Sequence, residues 1–191
     1  MRRVALLLAC CAALGACVTT RPPAPATKWE QRVGELQQAG SWQLEGRAAV
    51  ALGTQGWQAT LNWRQTGNVA EVHLSGPFGI GALVIRRGPD GLSLNGAPPS
   101  AAVLTQLQER LGFELPLDNL HYWLLGVPNP AAAFELSRND QDRALMLHQA
   151  GWLIDYERYE PAGGDLLPAR LVLTREDVRV RIAIDRWELP Q

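Results

Sequence analysis

Few residues of this 191-residue chain have the types and spacings that chemistry needs. A serine nucleophile would sit in Gly-x-Ser-x-Gly, a nucleotide loop would read as a Walker sequence, and a zinc hydrolase would show His-Glu-x-x-His. None of these occurs. His73, His121 and His148 stand on separate segments, without metal-ligand spacing and with no cysteine partner. The run Gly76-Pro77-Phe78-Gly79-Ile80-Gly81 is glycine-rich, but no helix follows it to aim backbone donors at a phosphate. The acidic residues are scattered, as on a solvated surface. The expectation is a protein with no catalytic residue, no metal and no cofactor.

The residue with the most specific chemistry is Cys17. Arg2 and Arg3 precede an apolar run, Val4 to Leu14, that is too short to span a bilayer, which takes about 20 residues. A charged start, a short apolar stretch and small residues before a cleavage point describe an export leader. Leu14-Gly15-Ala16-Cys17 resembles the lipobox of bacterial lipoproteins, in which the cysteine is acylated and becomes the first mature residue. The expected division is 1–16 as the cleaved leader, 17–27 as lipidated N-terminus and Pro-rich linker, and 28–191 as one domain. Cleavage would remove Cys10 and Cys11, and lipid would occupy Cys17, so no disulfide is expected. Val18 stands where an Asp would resemble an inner-membrane retention signal, which favours the outer membrane. Loss of Arg2 and Arg3 shifts the formal charge from −1 to −3, and no basic run remains. Nucleic acid is therefore not an expected partner.

The pattern then turns to the elements that must position such an anchored domain. Thr27 and Glu30 have capping-box spacing, Trp29, Val33 and Leu36 share a helical face, and Gly40 ends the helix. From Ser41 the period becomes two. Trp42, Leu44, Gly46, Ala48, Val50 and Leu52 alternate with polar or small residues, and after Gly53–Gly56 so do Trp57, Ala59, Leu61 and Trp63. That is an antiparallel hairpin. Further strands are expected at Val69–Ser75, Ile80–Arg86, Gly91–Asn95, Phe134–Ser137, Ala144–Gln149, Trp152–Tyr159, Leu167–Thr174 and Val178–Trp187. Between them, Ser100 caps a helix with Val103, Leu104, Leu107 and Leu111 on one side, ended by Gly112, and a short helix covers Asp118–Leu125. The fold class is mainly β (α+β): a strongly curved, open antiparallel barrel of about ten or eleven strands with two or three helices against one face.

Seven tryptophans and 47% hydrophobic residues raise a question of filling. The apolar sheet face is either a solid core or the wall of a cavity, and composition does not choose between them. In the loop Pro77-Phe78-Gly79 an aromatic side chain stands between a rigid and a flexible residue, so it either folds back on the sheet or touches something apolar. Burying it in lipid would contribute about 1.5–3 kcal/mol, enough for a reversible touch but not for an anchor.

The ordered set of short motifs resembles the LolB family of outer-membrane lipoprotein receptors. The motifs are the lipobox at Cys17, Trp29, Trp42…Gly46-Arg47, Leu61-Asn62-Trp63-Arg64-Gln65, Gly76-Pro77-Phe78-Gly79, Leu115-Pro116-Leu117…Tyr122-Trp123-Leu124-Leu125-Gly126, Trp152…Tyr156…Tyr159, Leu167-Pro168 and Ile182…Ile184-Asp185-Arg186-Trp187. The resemblance implies an incomplete barrel with a hydrophobic cavity for the acyl chains of client lipoproteins. These would be delivered by a LolA-type carrier and inserted into the outer membrane by a monomer. It also implies that the loop carrying Phe78 projects and helps to pass the client on. The family usually has Leu at this position, and Phe keeps the apolar character. Trp57, Leu61, Trp63, Trp123 and Trp152 are the expected cavity lining. LolA itself is unlipidated, so Cys17 and Phe78 point away from it. A generic lipid-binding lipoprotein and a structural lipoprotein of outer-membrane assembly are the alternatives.

Overall fold

The computed structural model describes residues 28–76 and 81–189. The expected leader and linker, with Cys17 and Thr27, and the residues Pro77, Phe78, Gly79 and Ile80 lie outside the described residues.

Helix α1 covers Lys28–Gln37 and buries Leu36, with Trp29 and Val33 packed on the core from its side. Strands β1 (Ser41–Leu52) and β2 (Gln55–Thr66) form the expected hairpin over twelve paired positions. Only Gly53 and Thr54 join them, and Gly53 has φ 54°, a left-handed conformation that favours glycine. Burial alternates along β1, with Trp42, Leu44, Gly46, Ala48 and Val50 inward. The meander continues through β3 (Val69–Ser75), β4 (Leu83–Gly88) and β5 (Gly91–Leu94). The expected strand from Ile80 begins instead at Leu83, because Gly81 (φ 72°) is still turning.

Helices α2 (Ala101–Leu111) and α3 (Leu117–Leu124) follow. Ser100 Oγ accepts a hydrogen bond from Val103 N at 3.3 Å, and Gly112, at φ 86°, closes α2 with its N–H on Gln108 O. Val103, Leu107 and Leu111 face the sheet, but Leu104 is 55% exposed. At about 100° per residue it sits on the flank of the i, i+4, i+8 stripe and misses the core. The second meander is β6 (Phe134–Arg138), β7 (Ala144–Gln149), β8 (Trp152–Ala162), β9 (Asp165–Arg175) and β10 (Val178–Glu188).

All ten strands join one antiparallel sheet in the order β5-β4-β3-β2-β1-β10-β9-β8-β7-β6. Two five-stranded meanders thus meet at β1–β10, and the sheet stays open with β5 and β6 as its edges. The chain must travel from one edge to the other, and α2 and α3 carry it there across the concave face. Curvature has a local cause at Gly46, where the β1–β10 register shifts. A Cβ at Gly46 would run into the Ala183 carbonyl, so this bulge admits only glycine. Beneath the helices Trp42 centres an aromatic cluster, with ring centroids 5.8 Å from Trp63, 5.7 Å from His121 and 5.5 Å from Trp187.

Candidate functional site

The inner faces of β1, β2, β3 and β10, roofed by the end of α2, residues 113–116 and α3, enclose a cavity of about 50 Å³ with no polar surface. Register explains its floor. Leu61 lies opposite Gly46, Trp63 opposite Leu44 and Trp57 opposite Val50, so all point the same way. Leu61 and Trp63 are buried and Trp57 is half-buried at the rim. Trp152 enters from β8, where Phe113 meets it edge-on at 6.1 Å. Four of the five expected residues therefore line this cavity. Trp123, although fully buried, is not among the lining residues.

Trp123 is held elsewhere by its polar edge. Its Nε1 donates to Gln149 Oε1 at 2.9 Å. The same oxygen accepts from Asn129 N at 2.9 Å, and Gln149 Nε2 donates to the carbonyls of Asn129 (2.8 Å) and Ala132 (2.9 Å). Tyr156 Oη donates to Trp123 O at 3.0 Å. Sequence reasoning missed Gln149, whose only signal is a polar side chain at an inward position of β7, two residues after Leu147. The other indoles differ. Trp57 Nε1 donates to Leu111 O at 3.1 Å and so ties the last turn of α2 to β2. Trp63 Nε1 donates to Gln65 Oε1 at 3.0 Å, while Trp152 Nε1 has no partner among the described residues.

Titration follows burial. Burial holds His121, against the rings of Trp42 and Tyr122, below the ordinary histidine value. Burial also raises Tyr156 well above the usual phenol range and raises Tyr159 too, chiefly by desolvation. His73 pairs with Glu71 at 2.8 Å on the surface.

The roof is thin on one side. A surface cleft of about 940 Å³ runs between α2 and α3, and Leu115, Pro116 and Trp152 line both it and the cavity. The segment with Pro77, Phe78 and Gly79 lies outside the described residues, and its flanks Ser75, Gly76 and Gly81 sit at the end of the sheet that carries the β1–β2 turn.

A family model described as "Outer membrane lipoprotein LolB" matches residues 40–187, the sheet from its first strand almost to its last residue. The chain belongs to the LolB family. It is 32% identical over 196 residues to the outer-membrane lipoprotein LolB of Nitrosococcus oceani, covering 98% of each chain. To LolB of Alkalilimnicola ehrlichii it is 34% identical over 203 residues, covering 99% of each. Its fold is similar to the crystal structure of a LolA superfamily protein from Nitrosomonas europaea. That match has a TM-score of 0.56 and 11% identity, and covers 87% of this chain and 95% of that one. The LolB assignment carries the outer-membrane location with it, and no helix among the described residues is long and apolar enough to cross a membrane.

Proposed function

We propose that this LolB-family domain, lipidated at Cys17, accepts lipoproteins from a LolA-type carrier, shelters their acyl chains and releases them into the outer membrane without a covalent step. The observation that carries the reading is the wholly apolar cavity that shares three of its lining residues, Leu115, Pro116 and Trp152, with a surface cleft. A cavity of about 50 Å³ is closed to an acyl chain, since ligand pockets run to roughly 300–1,000 Å³. Entry therefore requires the roof to move. Among the described residues the only side-chain hydrogen bond between α2 and the sheet is that of Trp57 to Leu111 O. α3 is held by the Trp123–Gln149 and Tyr156–Trp123 bonds at its far end and by the surface Arg87–Asp118 ion pair at its start. The roof residues that line the cavity itself meet it through apolar contacts, which can be exchanged for contacts with an acyl chain at about 0.8 kcal/mol per buried CH₂.

The chain carries no nucleotide motif, so transfer runs downhill, each station offering the acyl chains a better environment than the one before. Leu61, Trp63, Trp57 and Trp152 provide the lining. The linker of residues 18–27, at about 3.1 Å per residue when extended, lets the domain stand roughly 30 Å from its own lipid. Phe78 makes the reversible contact with the membrane.

The test is transfer of a labelled lipoprotein from a LolA-type carrier to the full acylated chain, and on into vesicles. Phe78→Glu is expected to accept client at the wild-type rate and to insert it about tenfold more slowly, the loss of roughly 1.5 kcal/mol of apolar contact. Insertion at the wild-type rate would remove the role given to Phe78. Failure of the wild-type chain to accept client would remove the receptor reading altogether.

A further inference from the structure

The sheet has a second face, and the register puts arginines from four strands together on it. One cross-strand row, outward throughout, reads Ser75, Thr60, Arg47, Ala183, Arg170, Arg158. The next row, two residues nearer the end that carries the β1–β2 and β3–β4 connections, contains Gln58, Ala49, Arg181, Val172 and Asp155. A third contains Gly56, Ala51, Arg179, Thr174 and Leu153. At about 3.3 Å per residue the rows are roughly 6.6 Å apart.

Long side chains beside alanines make a trench. An open groove of about 840 Å³ is lined by Arg47, Arg170, Arg181 and Glu157 as its charged residues, with Ala49 and Ala183 between them and Ser75 and Gly76 at one side. Arg47 is paired with Asp185 at 2.8 Å, and Arg158, just beyond the groove, is paired with Glu160 at 3.1 Å. Arg170, Arg181 and Arg179 have neither an ion pair nor a side-chain hydrogen bond among the described residues. Guanidinium groups present fixed forks of donors that match phosphate oxygens.

We infer that this groove docks the phosphate-bearing headgroups of anionic membrane lipids. The inference rests on the proposed reading that this end of the barrel, which leads into the Phe78 segment, faces the membrane. An anionic bilayer surface attracts arginines that lie within a Debye length of it, and arginines stacked in three rows place charge along that depth. The arrangement orients the domain about its tether, so that one particular side of the barrel lies against the lipid.

The full acylated chain carrying Ala51→Cys, labelled with a fluorophore, is reconstituted into vesicles of phosphatidylcholine with or without phosphatidylglycerol. Ala51 is exposed on the same face, just outside the groove. Quenching by a lipid with a nitroxide headgroup is read without carrier or client, so failure here is distinct from failure of the transfer reading. Quenching is expected to be several-fold stronger with phosphatidylglycerol, with the increment lost at high salt and lost in the Arg170→Glu, Arg181→Glu variant. The Arg170→Gln, Arg181→Gln variant is expected to lose part of it, and thermal melting reports that both variants fold. Equal quenching on the two vesicles would overturn the inference. So would a charge-reversed variant that keeps the lipid contact but no longer accepts client, which would assign the groove to an acidic segment of the carrier.

Discussion

The two helices that cover the concave face are fastened to it in different ways. The far end of α3 is locked by polar groups: Trp123 to Gln149, Gln149 to Asn129 and Ala132, and Tyr156 to the Trp123 carbonyl. The end of α2 and residues 113–116 lie over a surface without polar atoms, and one indole N–H reaches Leu111 O. Buried hydrogen bonds are directional and costly to leave unmade, whereas apolar contact is non-directional and easily replaced by other apolar contact. The same layer of helix thus has a fixed side and a side that can trade partners. Trp123 and Trp57, both tryptophans of the same interior, fall on opposite sides of that division.

The sharpest way to break the comparison is at its fixed side. Gln149→Leu leaves the buried Trp123 indole N–H and the part-buried Asn129 N–H without their acceptor. At about 1–3 kcal/mol for each orphaned group, a loss of roughly 3–5 kcal/mol in urea unfolding is expected. A loss below about 1 kcal/mol would mean that the junction is not a lock. On the other side, Trp57→Phe keeps an aromatic ring and removes the bond to Leu111 O. Stability is expected to fall by only about 1 kcal/mol, while a fluorescent fatty acyl probe binds roughly fivefold tighter because the closed roof is weakened by that amount. Unchanged probe binding would show that this bond does not hold the roof.

The smallest effect is on pH. Burial lowers His121 below its unfolded value of about 6.5, so between the two values the unfolded chain binds more protons than the folded one. Stability is then full above about pH 7 and declines as pH falls through 6.5 until the folded value is reached. Melting temperatures measured from pH 7.5 to 5.5 are expected to fall, and His121→Asn is expected to remove that part of the slope. An identical slope in the variant would assign it to other groups.

Much of this was legible before the structure. Alternation along Trp42–Leu52 and Trp57–Trp63 marked both the strands and their buried face, since period two needs only local sequence. Ser100 and Gly112 marked both ends of α2 for equally local reasons. What was not legible depends on distant pairing. Nothing near Trp123 shows that Gln149, 26 residues on, will capture its N–H. The chain has no basic run, yet β1, β9 and β10 bring Arg47, Arg170 and Arg181 into one groove. Composition left open whether the apolar face was filled or hollow. The structure gives a nearly closed interior with a small apolar remainder, a state between the two that depends on how far the roof settles.

The route of the chain has a mechanical corollary. Because α2 and α3 connect β5 to β6, the roof hangs from both free margins of the sheet, and it cannot lift without pulling on them. β5, four residues long and paired only with β4, is the weaker attachment. Amide exchange at that margin should therefore quicken whenever the interior is occupied, making a short edge strand the outward gauge of what the barrel holds.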